Sequence, residues 1–258
     1  QHDGVAAAGN YQAAWSLGGI YVGFILQAMG TDFYPRLSAV SADDAACNRA
    51  VNEQAQVSIL LAGPGLLATL ALSPLVMAMF YSTQFADAVP VLRWFCLGML
   101  LRVVAWPMGF IILAKGAQWV FFWTEVAATV VHVGLAWLLL KVMGLSGAGI
   151  AFAGLYVWHG VLIYFLVRRI SGFTWSRDNL MLAALFVGLT ITVLAAVELL
   201  PFWPGMAVAL AGTALGCGFS LALLVRLVPQ HWLPARLRKL MDALARPLAA
   251  KAQARERG

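Results

Sequence analysis

An arginine lies in the middle of an apolar run that is long enough to cross a membrane. The stretch LGMLLRVVAWPMGF, residues 97–110, contains Arg102 among residues that otherwise favour hydrocarbon. A guanidinium at bilayer depth costs about 2.5 to 3.5 kcal/mol even on lenient insertion scales, so it needs a charged partner, a water-filled cavity or a function. Gly98, Ala105 and Gly109 share its helical face, which predicts free space around the guanidinium.

The next apolar run carries a polar face of its own. Glu125, Thr129 and His132 are spaced i, i+4 and i+7, so one side of a helix presents all three. At 1.5 Å per residue, Glu125 lies about 10 Å, Arg102 about 18 Å and His132 about 21 Å from the same membrane surface. The arginine is therefore predicted to reach either side chain. Two interpretations stay open: a buried charge pair that locks two helices, or a cavity in which all three bind substrate and Glu125 and His132 couple transport to protons. His159, midway along the following run, is interpreted as a hydrogen-bonded core histidine.

The first apolar run has a stripe of polar and small residues at helical spacing. Its members are Gln12, Ser16, Gly19, Gly23, Gln27 and Thr31. Such a face either packs closely on another helix or borders water, and we take Gln27 as a candidate cavity residue. Asp32 and Arg36 are four residues apart at the end of the run, which predicts a local ion pair. A proton-coupling role for Asp32 is the weaker alternative.

The composition is that of a membrane protein. The chain has 258 residues, of which 62% are hydrophobic and 11% are charged, against roughly 25% charged in soluble domains. Apolar runs of the required ~20 residues occur at about 12–34, 56–81, 91–113, 119–140, 148–167, 180–200 and 205–225. The sequence thus predicts an all-α polytopic membrane helix bundle with about seven transmembrane helices over residues 1–228.

The distribution of basic residues predicts the orientation. Of the 17 lysines and arginines, fourteen fall on one side if the first run passes from outside to inside, and only Lys141 falls on the other. By the positive-inside rule the N-terminus is outside and the C-terminus is cytoplasmic. The net charge of +6 then needs no nucleic acid to explain it. The tail, residues 229–258, is predicted to be a basic amphipathic helix on the anionic inner leaflet, or else a solvated terminus.

Other classes of site find no support in the sequence. Cys47, Cys96 and Cys217 are isolated, which argues against a metal site, and no cofactor motif is present. GLSGAG contains the GxSG pattern of intramembrane serine proteases, but His159 lies about 20 Å along the helix from Ser146, beyond the reach of a Ser–His dyad. We therefore expect no enzymatic activity. Because the chain begins QHDGVAAAGNYQ without methionine, we expect it to be a fragment.

A series of motifs in a fixed order resembles one transporter family. GNYQAAWSLGGIYVGFILQAMGTDFYPRLS is similar to the eighth-helix segment of bacterial O-antigen and related polysaccharide flippases. STQFADAVPVL, RWFCLGMLLRVVAWPMGFIILAKG, FFWTEV and GLSGAG follow in the family's order, so that the resemblance covers about residues 4–175. Arg102 falls where similar flippases have a basic residue, and Glu125 falls on the family's glutamate. The two further runs after residue 175 resemble fourteen-helix members of the superfamily.

The resemblance implies a fold and a function. Proteins of this superfamily, the multidrug, oligosaccharidyl-lipid and polysaccharide exporters, have two six-helix lobes around a central cavity and work by alternating access. The present chain would be the C-terminal lobe, with the N-terminal lobe missing. The implied activity, in lipopolysaccharide or O-antigen biosynthesis, is to flip an undecaprenyl-diphosphate-linked oligosaccharide to the outer leaflet of the bacterial inner membrane. The alternatives are a multidrug or cation antiporter of the same fold and a membrane glycosyltransferase or acyltransferase of the same pathway.

Overall fold

The structure, a computed structural model, describes residues 2–227 as helices joined by short connections. The first half contains α1 (His2–Ala28), a π-helical turn (Met29–Phe33), α2 (Tyr34–Ala39), α3 (Asp44–Ala71), α4 (Ser73–Phe80) and a 3-10 turn (Thr83–Phe85). The second half contains α5 (Ala88–Ala114), α6 (Gln118–Met143), α7 (Ser146–Ser171), α8 (Arg177–Leu199) and α9 (Phe202–Leu227). The predicted tail, residues 229–258, lies outside the described residues.

The all-α fold and the seven membrane-spanning helices predicted from the sequence are confirmed. Seven helical segments are long and apolar enough to cross a membrane. The largest difference between predicted and observed helix bounds concerns the second segment. It was predicted at 56–81, whereas α3 begins at Asp44 and ends at Ala71. It begins early because the Asp43 carboxylate caps the helix, accepting hydrogen bonds from the amides of Ala45 and Ala46. A new helix, α4, then begins with Pro74 in its first turn, a position that proline favours.

The helix α5 lies at the centre of the bundle. It packs against α1, α3, α7 and α8, among others. In its most apolar stretch 61% is buried, against 6% in that of α6. Two glycines allow α5 and α7 to approach each other closely. A Cβ atom on Gly98 would lie 2.4 Å from the Phe152 ring, and one on Gly149 would lie 2.9 Å from the Val91 carbonyl oxygen. The expectation that Gly98 leaves space around Arg102 is therefore wrong, since the Phe152 ring fills that space.

Charged and polar contacts fasten the two ends of the bundle. At the end that carries Arg36 and Lys115, called the basic end here, the Lys115 ammonium lies 2.6 Å from the Asp44 carboxylate and joins α5 to α3. At the opposite end the Arg93 guanidinium lies 2.9 Å from the Glu198 carboxylate and joins α5 to α8. This pair joins residues that are more than a hundred positions apart in the sequence.

Candidate functional site

Arg102 lies near the midpoint of α5 and is half-buried among aromatic rings. Its guanidinium carbon is 4.6 Å from the centroid of the Trp106 ring and 5.7 Å from that of Tyr156. The Nε atom is buried and has no hydrogen-bond partner. Among the residues that the structure describes, no carboxylate lies within ion-pair distance of Arg102. Cation–π contacts, worth about 2 kcal/mol when desolvated, therefore hold this charge in place of a carboxylate.

The carboxylate of Glu125 contacts a histidine rather than Arg102. Glu125 Oε1 lies 3.6 Å from His159 Nε2, across the interface between α6 and α7. This partner differs from the predicted Arg102 because α6 packs mainly on α7 and has little contact with α5. The imidazole is 10% exposed and the carboxylate 51% exposed, so Glu125 faces open space on its other side.

His159 is the site residue that sequence reasoning undervalued. It lies near the midpoint of α7, level with the centre of the bundle, and its Nδ1 atom is buried without a hydrogen-bond partner. A hydrogen-bonded core histidine was expected, and this histidine has neither nitrogen in a hydrogen bond to a described residue. The signal available in the sequence was Tyr156, three residues earlier, whose ring stacks edge-on against the imidazole at 5.8 Å.

Glu125 and His159 line an open depression between α5, α6 and α7, together with the Trp106 and Tyr156 rings that contact Arg102. A cavity of about 160 Å³ lies at its middle. Its polar and aromatic lining residues are Trp106, Glu125, Thr129, His132, Tyr156 and His159. A second cavity of about 100 Å³ shares Trp106, Glu125 and His159 and extends toward the basic end. A third, of about 360 Å³, shares His132 and extends along α6 to Tyr11 of α1. We call the three together the central groove.

His132 also lines the central groove. Its ring is half-buried and lies 6.0 Å from the Phe152 ring. It lines both the middle and the third cavity. The predicted polar face of α6 thus does border one groove, with Glu125 and Thr129 exposed and His132 half-buried along it.

The remaining predicted residues lie elsewhere. Gln27 is exposed on α1, and neither it nor Asp32 lines the central groove. The Asp32–Arg36 pair is present, with 2.6 Å between the carboxylate and the guanidinium, as the sequence predicted. Along the stripe on α1, Gln12 donates a hydrogen bond to Ser16 at 3.3 Å, and Gln27 and Thr31 are exposed. The stripe is therefore exposed at Gln12, Gly23, Gln27 and Thr31 and half-buried at Ser16 and Gly19.

No group of three or more metal-binding side chains occurs within the described part of the chain. The central groove contains the Glu125–His159 pair, and behind its Trp106 and Tyr156 rings lies Arg102, which has no described carboxylate partner. Such a set can bind an anion and exchange protons.

One comparison with known proteins found a match over the first third of the chain. Residues 3–90 match the polysaccharide biosynthesis protein family. The matched part comprises α1 to α4 and the start of α5, so that it contains the stripe and Asp32 but neither Arg102 nor Glu125. The match supports the broad group of polysaccharide flippases and exporters to which the sequence motifs pointed. Together with seven helices able to cross a membrane, it indicates a multi-pass membrane protein. A search of curated proteins found no match.

Proposed function

We propose that this chain is the C-terminal lobe of a flippase for a lipid-linked oligosaccharide. Its substrate would be an undecaprenyl-diphosphate-linked repeat unit of O-antigen or a related polysaccharide, moved from the cytoplasmic to the outer leaflet of the bacterial inner membrane. The basic end of the bundle and the C-terminus would face the cytoplasm, as the charge distribution predicts. The family match over residues 3–90 supports the class of cargo.

The observation that carries this proposal is the environment of Arg102. A lipid-linked diphosphate is an anion that must cross hydrocarbon, and a guanidinium can bind its oxygens through charge-assisted, bidentate hydrogen bonds. An arginine already neutralised by a carboxylate would have to break that pair first. Arg102 instead stacks on Trp106 and Tyr156, and no described carboxylate competes with an incoming phosphate.

The open side of the central groove supports a second lobe. Glu125 and Thr129 are exposed at membrane depth on α6, although polar side chains inside a bilayer normally face protein or water. Most of the stripe on α1 is likewise exposed. We propose that a second lobe faces both surfaces and closes the groove into a water-filled cavity.

Proton coupling is proposed to act through the acid–histidine pair. Protonation of Glu125 or His159 adds one positive charge to the groove and so favours binding of an anion nearby. By linkage, binding of the anion then favours uptake of the proton by the same amount. His132, which lines the adjoining part of the groove, is the second coupling candidate. Asp32 is a weaker candidate for proton coupling, because it is paired with Arg36 outside the central groove.

The experiment is a translocation assay in inner-membrane vesicles that contain the complete transporter. Access of an added glycosidase to the lipid-linked oligosaccharide reports its arrival in the outer leaflet. Loss of a hydrogen bond to a charged group costs about 1.5 to 3 kcal/mol, so Arg102→Ala should slow translocation roughly ten- to a hundredfold. Arg49→Ala, which changes an exposed arginine at the basic end, is the matched control and should have no effect.

The rival functions predict different results in the same vesicles. An unchanged rate in Arg102→Ala contradicts the proposal. Export of a cationic drug that survives Arg102→Ala and fails in Glu125→Gln would identify a cation antiporter. Turnover of a nucleotide-sugar or acyl donor by the purified protein would identify an enzyme.

A further inference from the structure

A second groove lies between α1 and α3, at the basic end of the bundle and apart from the central groove. It has a volume of about 610 Å³. Its walls include Phe24, Val57 and Leu61, and its mouth carries Asp32, Arg36 and Glu53. We call it the α1–α3 groove. It is apolar along one part and charged along the other, as a site for an amphiphile would be.

The shape of this groove follows from one close contact between the two helices. The Tyr21 hydroxyl donates a hydrogen bond of 2.5 Å to the Leu61 carbonyl oxygen. Gly65 makes room for the ring, since a Cβ atom there would lie 2.4 Å from it. From this contact toward the basic end the space between the helices is open. The π-helical turn at Met29–Phe33, a feature often found at functional sites, forms part of the wall.

The charged mouth lies at the level of the membrane interface. Residues 4–31 and 54–86 carry no charged side chain, so Asp32 and Glu53 mark the same boundary on the two helices. Measured along the helices at 1.5 Å per residue, the Tyr21–Leu61 contact lies about 16 Å from Asp32 and about 12 Å from Glu53. Half the hydrocarbon thickness is about 15 Å. The apolar part of the groove therefore spans the depth of one lipid leaflet.

The charges at the mouth discriminate between lipid head groups. Asp32 and Arg36 lie 2.6 Å apart, and Glu53 is exposed with no ion pair to another described residue. One guanidinium and two carboxylates suit a head group with one phosphate and one ammonium that can donate hydrogen bonds. An anionic head group would meet two carboxylates, and a quaternary ammonium has no proton to donate.

We propose that the α1–α3 groove binds a zwitterionic phospholipid with a primary ammonium, such as phosphatidylethanolamine. Its phosphate accepts a hydrogen bond from Arg36 Nη1, the guanidinium nitrogen that Asp32 does not occupy, so the Asp32–Arg36 pair stays intact. Its ammonium donates to Asp32 and Glu53. Its acyl chain lies against Phe24, Val57 and Leu61, of which Phe24 is 70% exposed. This site is independent of the proposed translocation of an oligosaccharide.

The test measures which lipid the chain retains. The 258-residue chain is reconstituted in vesicles with equal amounts of phosphatidylethanolamine, phosphatidylcholine and phosphatidylglycerol of the same acyl composition, then extracted gently, and its bound lipid is quantified. Because the charged mouth is solvated, we expect only about a three- to tenfold preference for the ethanolamine lipid. The double variant Asp32→Asn/Glu53→Gln should lose this preference and retain the glycerol lipid through Arg36.

Two results would overturn the proposal. One is equal retention of the three lipids, or preferential retention of the anionic one, by the unmodified chain. The other is a preference for ethanolamine that survives the double variant. Asp178→Asn, which changes an exposed acid at the basic end outside the groove, is the matched control. Circular dichroism and gel filtration verify the fold, and the exposed single variant Glu53→Gln serves if the double variant misfolds. The vesicles contain no oligosaccharide lipid, so the result does not depend on the translocation proposal.

Discussion

The Arg93–Glu198 pair should make a measurable contribution to the stability of the bundle. The Arg93 Nη1 and Glu198 Oε1 atoms are 2.9 Å apart, and the two side chains are 15% and 35% exposed. Arg93 Nε also donates to the Ser73 hydroxyl at 2.9 Å. Two unit charges 4 Å apart attract each other by about 4 kcal/mol at an effective dielectric constant of 20. Desolvation and the exposure of Glu198 reduce this, so that Glu198→Gln should cost about 1 to 2 kcal/mol.

The assay is reversible unfolding of the chain in mixed micelles, followed by circular dichroism. Four proteins form a double-mutant cycle: the unmodified chain, Arg93→Gln, Glu198→Gln and the double variant. The cycle isolates the interaction between the two side chains, which should be about 1 to 2 kcal/mol. Asp87→Asn is the matched control, because Asp87 is exposed and forms no ion pair within the described region.

A coupling energy near zero would refute this reasoning. It would mean that the pair is as solvated as an ordinary surface pair, for which values of about 0 to 1 kcal/mol are typical. A loss of stability in Asp87→Asn equal to that in Glu198→Gln would also refute it, because the effect would then follow from net charge alone.

Three further predictions concern packing and the central groove. Gly147→Ala should destabilise the chain by about 2 kcal/mol or more, because its Cβ atom would lie 2.2 Å from a backbone carbonyl oxygen of α6. Gly134→Ala, at a helical position with open space around it, should instead stabilise the chain by about 0.5 to 1 kcal/mol. Thermal unfolding compares the two variants. Tyr21→Phe removes the hydrogen bond to α3 and should cost about 1 kcal/mol in the same assay. Glu125→Gln should flatten the pH dependence of translocation, and an unchanged pH profile would exclude Glu125 from coupling.

The sequence predicted the helices well because hydropathy is a property of each segment alone. Any apolar run of sufficient length must become a helix within a membrane, since its backbone groups have no other partners there. The Asp32–Arg36 pair was equally predictable, because both residues lie on one helix at a fixed spacing. The cation–π contact of Arg102 with Trp106 could have been predicted in the same way, because Trp106 lies four residues later on the same helix.

The partners between helices could not be predicted, because they depend on which faces meet. Arg102 and Glu125 lie on consecutive helices, which favoured a pair between them. The structure places α6 against α7, so Glu125 contacts His159 instead. Gly98 illustrates the same limit, since a glycine beside Arg102 indicates space only until the position of the Phe152 ring is known.

The helices α5 and α6 differ in how much of their surface is buried, and the charged groups in and beside the central groove are divided between them. Arg102 belongs to the helix with the largest buried share, and Glu125 and His132 belong to the one with the smallest. A displacement of α6 breaks few contacts outside its interface with α7, whereas a displacement of α5 breaks contacts with most of the other helices. Local opening costs least where few apolar contacts are lost. In the proposed transport cycle Arg102 would therefore keep its position, and the distance between Arg102 and Glu125 would be the one that changes at least cost.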